Sequence, residues 1–226
     1  MASQIKERAG LFGGTFDPVH LGHLRAAEEI RENLSLDKVY FIPAAVAPHK
    51  KTTHSTPSRH RLEMLKLAVS DNPSFEVCDY ELGKDTPSYT IETLRHLKKT
   101  NPESEYYFMV GNELFREIDT WKEWRDLFKL SNFVVITRPG YPDPDVGKLP
   151  LALENDFSYY NKEGNVIFYK DKNSSLIAFS RIMGLEVSST EIRRCVKSGR
   201  SIKYLVPAPV EEYILRNGIY ATEGAR

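Results

Sequence analysis

The sequence predicts an α/β protein built around a doubly wound parallel sheet with helices on both faces. Short apolar runs alternate with segments whose apolar residues recur every three or four positions, and such alternation of strands and helices is typical of parallel βαβ units. No internal repeat or low-complexity tract interrupts it. The chain of 226 residues is long enough to bury a core without disulfides, and we expect a single domain spanning residues 1–226.

Each element in the first half of the chain has its own signal. AGLFGG (residues 9–14) is an apolar run closed by two glycines, and the segment after it (21–34) carries apolar residues at helical spacing. By the same signals we expect strands at KVYFIPA (38–44) and FEVCDY (75–80) and helices at 58–71 and 88–99. Pro57 lies close to the start of the helix at 58–71, a position that proline favours.

The second half continues the alternation and then breaks it. EYYFMVG (105–111) and NFVVITRPG (132–140) are predicted strands, with a helix at WKEWRDLFKL (121–130) between them. From about residue 140 to 173 the sequence is rich in Pro, Asp and Gly, then in polar and aromatic residues. We expect a mobile insertion there, containing one strand at NVIFYK (165–170).

Two helices are predicted at the carboxyl end of the chain. They cover VSSTEIRRCVKSG (187–199) and PAPVEEYILRNGIY (207–220), which makes a helical portion of about 188–220. Ser188 precedes Glu191 by three residues, the spacing of a capping box.

Composition restricts the classes of partner. The 31 basic and 31 acidic residues give a net charge of zero, so no overall field attracts nucleic acid or an anionic membrane. Cys78 and Cys195 are too few and too far apart for a disulfide framework or a zinc ribbon. No apolar run approaches the roughly 18 residues of a membrane span, and no leader pattern precedes the first strand. We expect a cytoplasmic protein that binds neither nucleic acid nor membrane.

The loop after the first strand, GGTFDPVH (residues 13–20, the opening loop), has the features of an anion site. Gly13 and Gly14 allow backbone N–H groups to approach an anion, and the following helix adds its positive end. His20 and His23 are three residues apart, so both face the same side of the first helical turn. They can donate hydrogen bonds to charge developing on phosphate oxygens.

Other interpretations of this loop remain open at the level of the residues. The glycines can form a simple turn beside surface histidines, or the histidines can form a zinc pair, although no third ligand is suitably spaced. The loop matches neither the P-loop pattern nor Gly-x-Gly-x-x-Gly, which argues against kinases, GTPases and dehydrogenases. Asp17 is expected to shape the Asp-Pro turn.

A second anion site is predicted at SSTEIRR (188–194). Ser189 and Thr190 lie in the first turn of a capped helix, and Arg193 adds a planar cationic fork. The alternative is a capped surface helix with solvated charges. His49 and Lys50, after the second strand, add positive charge, with a plain basic loop as their alternative.

The sequence GGTFDPVHLGH (13–23) resembles the signature of nucleotidyltransferases related to class I aminoacyl-tRNA synthetase catalytic domains, in which the histidines contact nucleotide phosphates. SSTEIRR resembles the motif with which such enzymes hold the triphosphate of ATP. FIPAAVAPHKK, SYTIETLRHL, TWKEWRDLF and ITRPGYP resemble bacterial nicotinate mononucleotide adenylyltransferases. The resemblance covers nearly the whole chain.

This resemblance implies a Rossmann-like sheet of the nucleotidyltransferase type with C-terminal helices. It also implies adenylyl transfer from MgATP to nicotinate mononucleotide, with Mg²⁺ carried by ATP and no metal held by protein ligands. The residues implied to be catalytic are His20, His23, Lys50 and Arg193. Those implied to bind ATP are Gly13, Gly14, Thr15, Phe16, His20, His23, Gly111, Glu113, Ser189, Thr190 and Arg193. Those implied to bind the mononucleotide are His49, Lys50, Ser88, Tyr89, Thr90, Trp121, Lys122 and Arg138.

Two departures from the family pattern leave alternatives open. Glu113 stands where the family has an Asp that holds the ribose of ATP, and Ala47 replaces a proline. Trp121 and Trp124 can also pack as core residues of one amphipathic helix. The alternative functions are transfer of an adenylyl or cytidylyl group to another phosphate, such as phosphopantetheine, and nucleotide sensing without turnover. Homo-oligomer formation through the terminal helices also stays open.

Overall fold

The structure, a computed structural model, describes residues 7–45, 56–83, 88–137 and 147–221. Within these ranges the chain forms eight strands: β1 (Arg8–Gly14), β2 (Lys38–Pro43), β3 (Phe75–Val77), β4 (Glu105–Gly111), β5 (Asn132–Thr137), β6 (Phe157–Glu163), β7 (Val166–Asp171) and β8 (Leu176–Arg181). The same ranges hold seven α-helices: α1 (Leu21–Asn33), α2 (Ser58–Val69), α3 (Thr90–Thr100), α4 (Asn112–Phe115), α5 (Trp124–Leu130), α6 (Ser189–Lys197) and α7 (Ala208–Arg216).

All eight strands belong to one sheet in the order β3-β2-β1-β4-β5-β8-β7-β6. Pairing is parallel from β3 through to β8, whereas β7 and β6 continue the sheet in antiparallel fashion. The chain runs outward from β1 to β3 on one side and from β4 to β5 on the other. The switch point of the sheet therefore lies between β1 and β4, where doubly wound sheets bind their ligands.

Helices cover both faces of this sheet. On one face the buried residues of the helices include Ile30, Met64, Ile192 and Ile214, contributed by α1, α2, α6 and α7. On the other face they include Leu94, Phe115 and Leu127, contributed by α3, α4 and α5. Phe12 and Leu11 of β1 point into the first and second core respectively, as the alternation of side chains along a strand requires. The predicted α/β fold class is confirmed.

The region after β5 contains more strands than the sequence pattern predicts. The pattern predicts one strand, at 165–170, and the structure forms β6, β7 and β8. In the edge strand β6 only Phe157 is buried. The sequence of this strand has no alternation of apolar and polar residues that would predict it. In β8 the buried run is only four residues long, and periodicity alone does not distinguish so short a run from a segment of a buried helix.

Some predicted boundaries also change. The helix expected at 121–130 begins at Trp124, because Glu123 has a left-handed backbone (φ 51°) and Ile118–Thr120 forms a 3-10 turn. The strand expected at 75–80 ends at Val77. The short helix α4 follows β4 directly, where the pattern predicts a loop. Across the described ranges, no helix is both long enough and apolar enough to cross a membrane.

Candidate active site

The opening loop leaves the sheet at the carboxyl end of β1, next to the end of β4. Phe16 has a left-handed backbone (φ 48°), and its ring is buried. A Cβ atom on Gly14 would lie 2.9 Å from that ring. Gly14 is therefore required by the close approach of the Phe16 side chain, in addition to any role in binding an anion.

The two histidines lie together at the start of α1. Their rings stack with centroids 3.6 Å apart and planes 22° apart. The backbone N–H of His20 donates to Nδ1 of His23 at 3.3 Å. Because Nδ1 accepts this bond, a neutral His23 ring carries its hydrogen on Nε2, which is then the donor of the ring. Phe12 and Phe16 meet the His23 ring edge-on, with centroid separations of 6.0 and 5.1 Å.

Gly22, between the two histidines, is a site residue that the sequence interpretation did not single out. A Cβ atom at this position would lie 3.1 Å from Nδ1 of His20 and 3.4 Å from the carbonyl oxygen of Leu185. Glycine therefore allows the His20 ring to approach the backbone of α1 closely. The signal was present in the pattern His-x-Gly-His, which predicts a close approach at its glycine.

The start of α6 matches the predicted N-cap. Ser188 is the N-cap residue, and its Oγ accepts the backbone N–H of Glu191 at 3.2 Å. The Glu191 carboxylate pairs with Arg194 at 2.5 Å. This pairing satisfies Glu191 from within α6, and the structure shows the serine half of the predicted capping box only.

The two sequence-predicted anion sites meet in space. The Ser189 hydroxyl donates to the carbonyl oxygen of Pro18 at 2.9 Å. The Arg193 guanidinium donates to the carbonyl oxygen of Asp17 at 2.6 Å and to Oγ1 of Thr190 at 3.3 Å. Side chains near the carboxyl end of the chain thus hold the backbone of the opening loop.

Asp17 does more than shape a turn. Its buried carboxylate accepts a hydrogen bond from the Tyr220 hydroxyl at 2.6 Å and from the backbone N–H of Thr56 at 3.3 Å. Burial, and after it the charge of Asp17, raises the pKa of Tyr220, so the hydroxyl stays protonated and donates. The segment after α7 therefore also fastens the opening loop.

Gly111 and Glu113 lie at the carboxyl end of β4, across the switch point from the opening loop. Glu113 is exposed, and its Oε2 lies 3.1 Å from the position that a Cβ atom would take on Gly111. The Glu113 carboxylate thus folds back over the end of β4, so its extra methylene group relative to Asp does not carry it away from the strand.

The residues predicted to hold the mononucleotide gather at the start of α3. Ser88 is buried, and its Oγ accepts the backbone N–H of Ala45 at 3.2 Å. Tyr89 is the N-cap residue of α3, and Thr90 is its first residue. Lys122 reaches the same place from the segment before α5, with Nζ 4.5 Å from the centre of the Tyr89 ring.

Lys122 and Trp121 are already engaged with neighbouring side chains. Lys122 donates to Oε1 of Glu92 at 2.9 Å, and this ion pair raises the pKa of Lys122. Trp121 is partly buried and meets the Phe108 ring edge-on at 6.0 Å. Trp124 does not lie in the same helical turn, because α5 begins with it. His49, Lys50, Ala47 and Arg138 lie outside the described residues.

Arg61 is the site residue that the sequence interpretation missed most clearly. It lies on α2, is 1% exposed, and donates to the carbonyl oxygens of Thr15, Thr56 and Ala45 at 2.7, 3.1 and 3.4 Å. The signal was a charged residue four positions before Leu65, on the apolar face of α2. Among the described residues, no group of three or more His, Cys, Asp and Glu side chains could hold a metal ion.

This geometry can be compared with known proteins. The Cytidylyltransferase-like family matches residues 11–195, a range that includes the opening loop and most of α6. The chain is 40% identical over 217 residues to a probable nicotinate-nucleotide adenylyltransferase of Syntrophotalea carbinolica, covering 96% of this chain and 98% of the relative. A relative with the same name from Geotalea daltonii is 42% identical over 214 residues, covering 94% and 98%.

The chain belongs to the nicotinate-nucleotide adenylyltransferase family.

Solved structures confirm the fold that membership of this family implies. A nicotinic acid mononucleotide adenylyltransferase of Plasmodium falciparum, complexed with NaAD, superposes with a TM-score of 0.69 at 19% identity, covering 95% of this chain and 97% of that one. A putative nicotinate-nucleotide adenylyltransferase of Vibrio parahaemolyticus gives 0.60 at 15% identity, covering 95% of each chain. The resemblance found in the sequence is thus confirmed at the level of both the family and the fold.

Proposed function

We propose that this chain transfers the adenylyl group of MgATP to the 5′-phosphate of nicotinate mononucleotide, forming nicotinate adenine dinucleotide and pyrophosphate. The observation that carries the proposal is the meeting of His20, His23 and Arg193 around one loop at the switch point of the sheet. The two relatives are named for this activity, and this chain matches 98% of the length of each. The P. falciparum neighbour is complexed with NaAD, the product of the proposed reaction.

On the ATP side, the opening loop and α6 supply the groups for the phosphates. Backbone N–H groups of the glycine loop and the first turn of α1 favour negative charge. Nε2–H of His23 is a donor for oxygen atoms on which charge builds up. Arg193 uses two of its nitrogens to hold Asp17 and Thr190, and its guanidinium has five N–H groups in all. Glu113 is suited to accept from the ribose.

On the mononucleotide side, the start of α3 supplies the pocket. Ser88, Tyr89 and Thr90 line the beginning of this helix, and Trp121 offers an aromatic face for a pyridine ring. N–H groups near Thr90 and Trp121 would donate hydrogen bonds to the carboxylate of nicotinate. They would disfavour nicotinamide, because its amide presents donors of its own. His49, Lys50 and Arg138, outside the described residues, add positive charge for the phosphate.

The chemistry requires positioning and charge stabilisation. The 5′-phosphate is ionised at neutral pH, so it attacks the α-phosphorus in line without a general base, and the Pα–O bond to the β-phosphate breaks to release pyrophosphate. No covalent enzyme intermediate is needed. Mg²⁺ carried by the phosphates of ATP, rather than by a cage of protein ligands, would offset part of their negative charge. The protein's contribution is to hold both substrates and spread the developing charge.

The test is pyrophosphate release with MgATP and three acceptors in parallel: nicotinate mononucleotide, nicotinamide mononucleotide and phosphopantetheine. We expect strong preference for the first. His23→Ala should lower turnover by about two orders of magnitude or more, because a donor to the developing charge is lost. His60→Ala is the matched control, since His60 lies on α2 and bonds Tyr213. Preference for another acceptor, or ATP binding without release, would contradict the proposal.

Two further expectations belong to this proposal. We expect a cytoplasmic location. This location fits the composition of the chain, and it fits a reaction between small phosphorylated metabolites. Assembly with a second copy through α6 and α7 stays a prediction, which light scattering after size-exclusion chromatography would check.

A further inference from the structure

Arg61 is a charged side chain in a place where charges are rarely found. It is the largest of the fully buried side chains among the described residues, at 1% exposure. Fully buried arginines are uncommon unless they are paired or hydrogen-bonded, because removing the charge from water is costly. Burial lowers the pKa of Arg61, while the negative charge of Asp17 acts in the opposite direction. The burial of Arg61 must therefore be explained by the groups to which its guanidinium donates hydrogen bonds.

The three acceptors of Arg61 lie in two connections, one after β1 and the other between β2 and α2. Thr15 is in the opening loop, Ala45 follows the end of β2, and Thr56 precedes α2. One rigid guanidinium fork thus bonds both loops at the carboxyl ends of two neighbouring strands. A lysine has donors on one nitrogen only and cannot span the same three carbonyl groups.

Ala45 connects this arrangement to the other half of the site. Its carbonyl oxygen accepts from Arg61, and its backbone N–H donates to Oγ of Ser88, just before α3. A continuous path of hydrogen bonds therefore runs from Thr15, on the ATP side, through Arg61 and Ala45 to the mononucleotide side. Thr56, the third acceptor of Arg61, extends this path to Asp17 of the opening loop, because its backbone N–H donates to the Asp17 carboxylate.

We propose that Arg61 is a positioning residue for adenylyl transfer, which sets the distance between the ATP-binding loop and the mononucleotide-binding segment through the carbonyl groups of Thr15 and Ala45. This inference rests on the proposed function. In-line transfer needs the attacking oxygen within about 3–3.5 Å of phosphorus, and a displacement of about 1 Å costs on the order of a hundredfold in rate. Each substrate keeps its own contacts when Arg61 is changed. The role therefore predicts a loss in kcat larger than any change in either KM.

The first variant is Arg61→Lys, with Arg59→Lys as its matched control. Arg59 lies on the same helix, two residues earlier, and is exposed. We expect Arg61→Lys to lower kcat about tenfold or more, with both KM values within about threefold of wild type. Circular dichroism and thermal melting show whether the variant is folded at the assay temperature. Arg59→Lys should match wild type in kcat.

The second variant, Arg61→Ala, allows chemical rescue. Millimolar guanidinium chloride should restore at least part of the lost kcat by occupying the space among the three carbonyl groups, and equal concentrations of ammonium chloride should not. Guanidinium does not rescue a protein that is simply unfolded, because it destabilises folded proteins. Rescue therefore separates positioning from a general loss of structure.

The outcomes are distinct. Reduced kcat in folded Arg61→Lys, together with rescue of Arg61→Ala, supports the proposal. Wild-type kcat in both folded variants, an effect on KM alone, or a loss that follows the unfolded fraction without rescue would overturn it. A wild-type chain without adenylyl transfer would contradict the proposed function itself, whereas an active wild type with equally active variants contradicts only the role of Arg61.

Discussion

Gly22 decides where the His20 ring can lie, although it has no side chain of its own. The space that a Cβ atom would fill is bordered by Nδ1 of His20 and the carbonyl oxygen of Leu185. His20 is 3% exposed and stacks on His23, so its ring has little room to move aside. The position of the histidine pair thus depends on the close approach that Gly22 allows.

Gly22→Ala therefore tests the geometry of the histidine pair. Within α1 an alanine has up to about 1 kcal/mol more favourable helix propensity than glycine, which offsets the cost of the contact with His20. The free energy of unfolding should therefore change little, while the His20 ring is displaced. We expect turnover to fall about tenfold or more, measured as pyrophosphate release beside a melting curve. Gly83→Ala is the control, because the nearest atom to a Cβ there is 3.9 Å away. Unchanged turnover in Gly22→Ala would contradict the steric argument.

At the scale of elements, the segments near the carboxyl end of the chain act as supports for the opening loop. Ser189 and Arg193 of α6 bond the carbonyl oxygens of Pro18 and Asp17, and Tyr220, beyond α7, bonds the Asp17 carboxylate. In addition, the backbone N–H of Leu21, the first residue of α1, donates to the carbonyl oxygen of Leu205. The loop is thus held from one side by its own strand and helix and from the other by distant segments.

Tyr220→Phe tests this support with the loss of a single oxygen atom. Tyr213→Phe is the matched control, since the Tyr213 hydroxyl bonds Nδ1 of His60 at 2.9 Å, on the α2–α7 contact. Tyr213→Phe loses a neutral hydrogen bond worth about 1 kcal/mol of unfolding free energy, whereas Tyr220→Phe loses one to a buried carboxylate, worth about 1.5–3 kcal/mol. We expect a larger fall in melting temperature for Tyr220→Phe, with both variants folded at the assay temperature, and a several-fold fall in kcat for Tyr220→Phe alone. Equal kcat values in the two variants would show that Tyr220 contributes stability only.

At the scale of the whole molecule, one sheet unites the described parts of the chain. Strand β1 contributes to both cores, through Phe12 and Leu11, and the opening loop that follows it adds Phe16 and Val19 to the first core. Strands β6 and β7 lie inside the segment expected to be mobile and pair with each other. Strand β7 also pairs with β8, which itself pairs with β5. Mobility of this segment stays a prediction, which amide hydrogen exchange would measure.

The continuous sheet predicts that the chain unfolds as one unit. Urea unfolding followed by the fluorescence of Trp121 and Trp124, near the α3 face, should coincide with unfolding followed by far-UV circular dichroism, which averages over all elements. Because one sheet forms part of both cores, the helices of either face cannot unfold at much lower urea without exposing the sheet. Two separated transitions would contradict the expectation of a single domain at 1–226.

The sequence by itself determined the order of strands and helices up to β5, apart from the short helix α4, and the two terminal helices. It also located the two motifs that are predicted to bind anions. These features depend on local periodicity, glycine placement and capping, all of which lie within a few residues of one another. It did not show β6, whose residues are mostly exposed, or β8, whose buried run is short. The sequence also left open whether Glu113 binds the ribose of ATP, because the length of a side chain alone does not tell where its carboxylate lies.

Only the tertiary structure decided what the motifs touch. Arg193 and Asp17 are separated by 176 positions along the chain and meet at 2.6 Å. Arg61 was missed because its charge favours the surface, although its position on α2 belongs to the apolar face. The three carbonyl groups that justify its burial come from two different loops, which the helix pattern does not show. Periodicity specifies elements, but the partner of a buried polar group is determined by how those elements pack, because the partner can come from any part of the chain.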